Sequence, residues 1–189
     1  MEPLVAPVLQ TQRLLLRPFV PGDAAAVARL AGDREVAAPT LNIPHPYHEA
    51  DARDWFETHP RDLAEGTGIV LAVTLRPGTT LVGAAGLSSV DRDHSRAEIG
   101  YWVGRPFWNR GYCTEACRAL LDHAFGELGL FRVYASHFAT NPASGRVMQK
   151  LGMHREGLLH GHVLRWGTRH DLVCYGILNS GRPAATQKP

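Results

Sequence analysis

The run Trp108-Asn109-Arg110-Gly111-Tyr112-Cys113-Thr114-Glu115-Ala116 stands between a strand-like stretch, Ala97 to Val103, and a helix-patterned one. A strand, a short glycine-bearing turn and a helix start together make an anion site. The first N–H groups of a helix have no carbonyl partner, and the aligned peptide dipoles place partial positive charge at that end. Gly111 lets a phosphate approach the main chain where a Cβ would collide. The chemistry this spacing offers is recognition of a pyrophosphate, mainly by backbone.

Two familiar phosphate loops are excluded. No Gly-x-x-x-x-Gly-Lys-Ser/Thr occurs, and the lysines of the chain are Lys150 and Lys188 alone. No Gly-x-Gly-x-x-Gly opens a βαβ unit with an acidic residue downstream. What remains resembles the GNAT acyltransferase superfamily, whose cofactor loop reads Gln/Arg-x-x-Gly-x-Gly/Ala between the fourth strand and the third helix. Trp108 stands at the Gln/Arg position, Gly111 at the central glycine and Cys113 at the final small residue. In the branch similar to ribosomal-protein (alanine/serine) N-terminal acetyltransferases the usual wording is Trp-x-Lys/Arg-Gly-Tyr-Ala-Thr-Glu-Ala. Asn141-Pro142-Ala143-Ser144, followed by Lys150-Leu151-Gly152-Met153, resembles that branch's Asn-x-x-Ser…Lys-x-Gly-Phe, with Met153 replacing the aromatic. The opening Gln12 to Pro18 and the loop Pro44-His45-Pro46-Tyr47 fit as well, so the likeness runs from about Leu9 to Leu178.

The resemblance implies an α+β (mixed α/β) GNAT fold. Its mostly antiparallel, twisted sheet would be splayed between the fourth and fifth strands and flanked by about four helices. The co-substrate would be acetyl-CoA, with no metal. Its pantetheine arm would lie in the gap between Ala97–Val103 and Phe131–Phe138, bonding unpaired main chain as an added strand does. Tyr101, Trp102 and Val103 would line the arm, and an N–H near Val103 would meet the thioester oxygen as an oxyanion hole. Trp108, Asn109, Arg110, Gly111, Tyr112, Cys113 and Thr114 would hold the pyrophosphate. Asn141 would sit beside the thioester sulfur, and Ser144 would protonate the leaving thiolate. Both have plainer uses, Asn141 as a helix N-cap and Ser144 in local bonding to backbone. Tyr112 and Tyr134 are alternative acids. Glu98 is the candidate base, acting directly or through water. Its plain alternative is an ion pair with Arg96 or a histidine, and His137, Asp171 and His162 compete for the role.

The acceptor is expected to be a primary amine, either a protein N-terminus or a small amine such as a polyamine, an amino acid or a drug. Its pocket would come from the Leu41–Tyr47 loop, the second helix and the closing hairpin, with Asn42, Tyr47 and Trp55 binding substrate beside His45. That lining has no dense acidic patch to attract a polycation. The rival reading from another class is a CoA-binding or sensing module that does no chemistry.

Composition narrows the setting. A formal charge of +2 over 189 residues gives no field to attract nucleic acid or a membrane surface. No apolar run approaches the roughly 20 residues that span a bilayer, and the first residues lack a signal core. Three cysteines, Cys113, Cys117 and Cys174, form no Cys-x-x-Cys pair, so a reducing, cytoplasmic location is expected. His45 with His48, and His160 with His162, lack clustered partners for a metal. The assembly is expected to be a monomer or a homodimer.

The elements that must position these groups are legible in outline. Leu14 to Leu16 reads as a first strand, and Asp23 as the N-cap of a helix reaching Leu30. A second helix is expected around Ala50 to Glu57, with Trp55 and Phe56 inward. Ile69–Leu75 and Thr80–Leu87 read as a hairpin, and Ala97–Val103 as the next strand. Ala116, Cys117, Leu120, Leu121, Ala124, Phe125 and Leu128 form a helical core stripe. Phe131–Phe138 is a strand, Asn141 and Pro142 open a helix, and Gly152 closes it. Gly157–Arg165 and Arg169–Leu178 read as a last hairpin. The division expected is an extension over residues 1–8, one domain over 9–180 and a flexible tail over 181–189.

Overall fold

A computed structural model describes residues 3–179. The apolar runs form eight strands: β1 (Leu9–Gln10), β2 (Leu14–Arg17), β3 (Ile69–Leu75), β4 (Leu81–Asp91), β5 (Arg96–Val103), β6 (Arg132–Phe138), β7 (His154–Arg165) and β8 (Thr168–Leu178). The helices among these residues are α1 (Ala24–Ala31), α2 (Arg34–Ala37), α3 (Glu49–Glu65), α4 (Tyr112–Gly126) and α5 (Pro142–Lys150). All strands join one sheet in the order β1-β2-β3-β4-β5-β6-β8-β7. Every neighbouring pair is antiparallel except β5 and β6, which run parallel. Parallel neighbours need a long crossover, and α4 supplies it.

Each face of the sheet has its own core. On one, the α4 stripe Ala116, Cys117, Leu120, Leu121 and Ala124 packs with Met148 of α5 and Leu151 just after it against Leu16, Leu71, Ile99, Val133 and Ala135. On the other, Ala24, Val27 and Leu30 of α1 and Ala52 of α3 meet Ala72 and Leu81. Burying one such large aliphatic side chain contributes about 1.5–3 kcal/mol. The α4 stripe therefore fixes where that helix begins, and its beginning is the glycine loop.

Several expectations are corrected. Asp23 makes no side-chain cap on α1. Its carboxylate turns back to accept from Arg17 at 2.7 and 2.9 Å and from the Val20 N–H at 2.9 Å. The second helix, α3, runs on to Glu65 with Pro60 inside it. A proline normally breaks a helix interior, but Leu63 beyond it packs on the core and the helix ends instead at Gly66, φ 71°. β4 continues past Leu87 to Asp91 through a register shift after Ser88. The fifth strand of the sequence reading is β6, because the two-residue β1 precedes Leu14, and the short α2 is likewise additional. Leu4, assigned to an extension, is buried, and its N–H bonds the Leu63 carbonyl at 2.8 Å. The expected tail, 181–189, lies outside the described residues.

Candidate active site

The loop between β5 and α4 is built from two left-handed residues, Asn109 (φ 60°) and Gly111 (φ 79°), with Arg110 between them. Gly111 is the N-cap of α4, so the N–H groups of Tyr112, Cys113 and Thr114 lack helical acceptors. A Cβ on Gly111 would have only Arg13 Nη2 within 4 Å, at 3.4 Å. The loop is therefore open above the helix start. A groove of about 440 Å³ beside it is lined by Gly111, Thr114, Arg118 and Lys150, which places two cations near the same helix end. Trp108 has a different place from the rest of the loop. Its indole N–H donates to the Val103 carbonyl at 2.6 Å, latching the loop to the end of β5.

Strands β5 and β6 share register at three pairs: Arg96 with Arg132, Ala97 with Val133, and Glu98 with Tyr134. Beyond Glu98 they diverge, so main-chain groups of Ile99–Trp102 and Ala135–Phe138 that face the gap have no strand partner across it. Side chains alternate along β5. Tyr101 points to the α4–α5 face with Ala97 and Ile99, while Glu98 and Trp102 point to the other.

Tyr101 reaches the start of α5. Its hydroxyl lies 3.0 Å from Ser144 Oγ and 3.2 Å from the Ser144 carbonyl. Burial, with Cys113 and Cys117 beside it, pushes the Tyr101 hydroxyl far above its usual value, so it stays protonated. Asn141 caps α5 as expected, its side-chain oxygen accepting the Ser144 N–H at 3.3 Å. Gly145 explains how closely α5 approaches the sheet: a Cβ there would stand 2.8 Å from His137 Nε2. The alternative acids lie elsewhere. Arg13 covers the Tyr112 ring at 4.8 Å, and Tyr134 sits on the opposite face beside Arg132.

Glu98 is half-buried on that opposite face. Burial raises its carboxyl above the ordinary value, and a hydrogen bond with the Ser136 side chain offsets part of the rise. Arg96 pairs with Asp91 at 3.1 Å instead, and among the described residues no cation comes within ion-pair distance of Glu98. Of the competing bases, His137 is buried on the α5 side, against Tyr175 at 5.7 Å. Asp171 is engaged by His160 at 3.1 Å and by the Gly161 N–H at 2.7 Å. His162 is exposed on β7.

The expected acceptor wall is uneven. Asn42 is exposed. Burial, with the Asp51 charge nearby, pushes the Tyr47 hydroxyl up to about 12. Trp55 is drawn into a ring cluster with Phe19 at 5.1 Å and His59 at 4.8 Å, so packing uses most of it. The sequence reading missed Arg165. From the end of β7 its guanidinium donates to the carbonyls of Leu41 at 3.0 Å, Ala37 at 3.4 Å and Ile43, pinning the loop to the hairpin. No signal in the sequence singles it out, because its partners are carbonyls 122 to 128 residues away.

Comparison with known proteins gives this geometry a family. Residues 13–154 match the family model described as an acetyltransferase (GNAT) domain. The chain belongs to the GNAT acetyltransferase family. The uncharacterised N-acetyltransferase YoaA of Bacillus subtilis (strain 168) is 30% identical over 172 residues, 91% of this chain and 97% of its own length. YdaF of the same organism, provisionally named a ribosomal N-acetyltransferase, is 36% identical over 70% of this chain and 69% of its own. The crystal structure of a GNAT-family acetyltransferase from Bacillus anthracis superposes with a TM-score of 0.80 at 28% identity, covering 91% of this chain and 98% of that one. The chain is thus an N-acetyltransferase of the acetyl-CoA-dependent GNAT type. No helix among the described residues is long and apolar enough to cross a membrane, and they include no group of three or more potential metal ligands.

Proposed function

We propose that this enzyme acetylates the α-amine of a protein N-terminus, of the ribosomal-protein type, with small primary amines as the other acceptor class. One arrangement carries the reading: the open β5–β6 gap has a hydroxyl pair, Tyr101 and Ser144, on one face and, on the other, the carboxylate of Glu98, which has no ion-pair partner among the described residues. Held in that gap, acetyl-CoA supplies an activated acetyl thioester. The fit rests on the open left-handed loop at Asn109 and Gly111 and on the free main chain beyond Glu98. Ser144 Oγ, in the first turn of α5, holds a proton where the helix dipole favours developing negative charge. The Tyr101 hydroxyl, which stays protonated, lies 3.0 Å behind it and holds the Ser144 hydroxyl in place. Asn141 spends its oxygen on the cap and keeps its –NH₂ group as a donor toward the arm. On the other face, ionised Glu98 takes the proton of the acceptor ammonium, directly or through water.

An α-amine has a pKa of about 8 and a lysine side chain about 10.4, so a single weak base suits the former. The provisional name of YdaF points the same way. The three free thiols, Cys113, Cys117 and Cys174, suit a reducing cytoplasm. A monomer or homodimer acting without nucleic acid completes the reading. A peptide carrying both a free N-terminus and a lysine tests it. The expected product is acetylated at the N-terminus, at a rate rising with pH through about 8. Acetylation of lysine alone overturns the acceptor assignment. Absence of any thiol release across a panel of peptides and small amines would leave a binding module in place of an enzyme.

A further inference from the structure

α4 carries a carboxylate, Glu115, in the first turn of the helix whose start the reading above assigns to a pyrophosphate. Left free, that charge would repel phosphate and compete for the same N–H groups. It is not free. Glu115 Oε1 accepts from the Thr11 hydroxyl at 2.6 Å and from the Arg13 N–H at 2.9 Å. Oε2 accepts from Arg13 Nε at 2.7 Å, with Nη2 at 2.6 Å. These bonds hold the carboxyl below the ordinary glutamate value, outweighing its burial, which acts the other way.

The arginine does more than neutralise. Arg13 Nη1 donates to the Arg110 carbonyl at 3.0 Å, and its guanidinium carbon lies 4.8 Å from the Tyr112 ring centroid. Nη2 is the atom closest to where a Gly111 Cβ would stand. One side chain thus holds the residues on both sides of Gly111. Its own backbone is fixed in turn, because Thr11 exchanges hydrogen bonds with Leu14 across the turn before β2.

We propose that Arg13 and Glu115 form a clamp that positions the cofactor loop, with Arg13 holding the Asn109–Gly111 segment in the conformation that presents its N–H groups to pyrophosphate. The proposal rests on the acetyl-CoA reading. Arg13 is a positioning residue, acting through the loop. Thr11 and Arg13 lie 104 and 102 residues from Glu115 in the chain, and the sequence motif gives Glu115 no duty.

Glu115→Gln separates the clamp from simple electrostatics, because the two give opposite signs. Removing a negative charge beside an anion site should tighten CoA binding if charge alone matters. A clamp that loses its ion pair should weaken it. Calorimetry with CoA is expected to show Kd rising about tenfold or more in Glu115→Gln and in Arg13→Ala, the size of one lost charged hydrogen bond. Affinity for pantetheine, which has no pyrophosphate, should change much less. Arg13→Lys keeps the charge but not the fork, and should bind CoA no better than Arg13→Ala. Tighter or unchanged CoA binding in a folded Glu115→Gln protein overturns the clamp, as does full rescue by lysine. Parallel loss of CoA and pantetheine together with thermal stability also overturns it, leaving a purely structural bridge. Failure of the unaltered protein to bind CoA would instead remove the reading on which the clamp rests.

Discussion

At Glu98 the environment sets the chemistry. A carboxylate on an open strand would titrate near the ordinary glutamate value of about 4.3. Burial on the α1–α3 face raises it, and the Ser136 hydrogen bond pulls it partly back. A base with a raised pKa remains protonated to higher pH, so the rate should fall on the acid side through that raised value. Ser136→Ala removes the restraint and should move this acid limb to higher pH with little change at pH 8 and above. Glu98→Gln should abolish the limb and leave only the dependence on free amine. A pH–rate profile of kcat for the three proteins checks both, and an acid limb unmoved in Ser136→Ala and retained in Glu98→Gln would exclude Glu98 as the base. Ser144 is legible as a candidate from its motif, and Glu98 from its place on the strand beside the cofactor gap. Tyr101 was legible only as a lining residue, because its partner lies 43 residues on and is met only when α5 docks.

Helix α5 shows how an element carries a chemical group to its place. Its boundaries could be read in advance, since Asn141 with Pro142 opens it and Gly152, φ 84°, follows its end. Its depth on the sheet could not. That depth is set by Gly145, which lets the helix lie against the buried ring of His137. Gly145→Ala would put a methyl group 2.8 Å from His137 Nε2, a ring restrained by its Nδ1 contact with the Phe138 carbonyl at 2.8 Å and by Tyr175 at 5.7 Å. The helix start should lift and carry Ser144 away from Tyr101. Misplacement by about 1 Å can cost on the order of a hundredfold in rate, so kcat should fall by about that much while CoA affinity at the α4 loop is largely kept. An unchanged kcat in the folded variant would mean that Ser144 does not need its present position. α3 teaches the converse lesson. Pro60 is a stop signal in sequence terms, and tertiary packing of Leu63 overrides it.

Across the whole molecule the sheet separates two cores, with the cofactor loop tied to one and α1 and α3 to the other. The strand runs and the α4 stripe are readable from sequence, and the splay follows from the family resemblance, but which helix packs on which face is not readable. The tie between the second layer and the sheet was not readable, because Asp23 looked like an ordinary cap. Arg17 at the end of β2 instead holds Asp23 ahead of α1, with side-chain exposures of 19% and 9%. Burial alone would raise the Asp23 carboxyl, but the bonds from Arg17 and the Val20 N–H outweigh it and hold it below the usual value. A carboxyl lowered on folding contributes stability that is present above its unfolded pKa of about 3.9 and is lost as pH falls through the folded value. Asp23→Asn leaves Arg17 without its counter-charge, at a cost of about 3 kcal/mol. Calorimetric melting at neutral pH should show Tm lower by roughly 6–12 °C for a protein of this size. The deficit should shrink as pH drops below about 4, since the parent then loses the same pair. A deficit constant with pH would show that shape, and not charge, is what Asp23 contributes to holding α1 on the sheet.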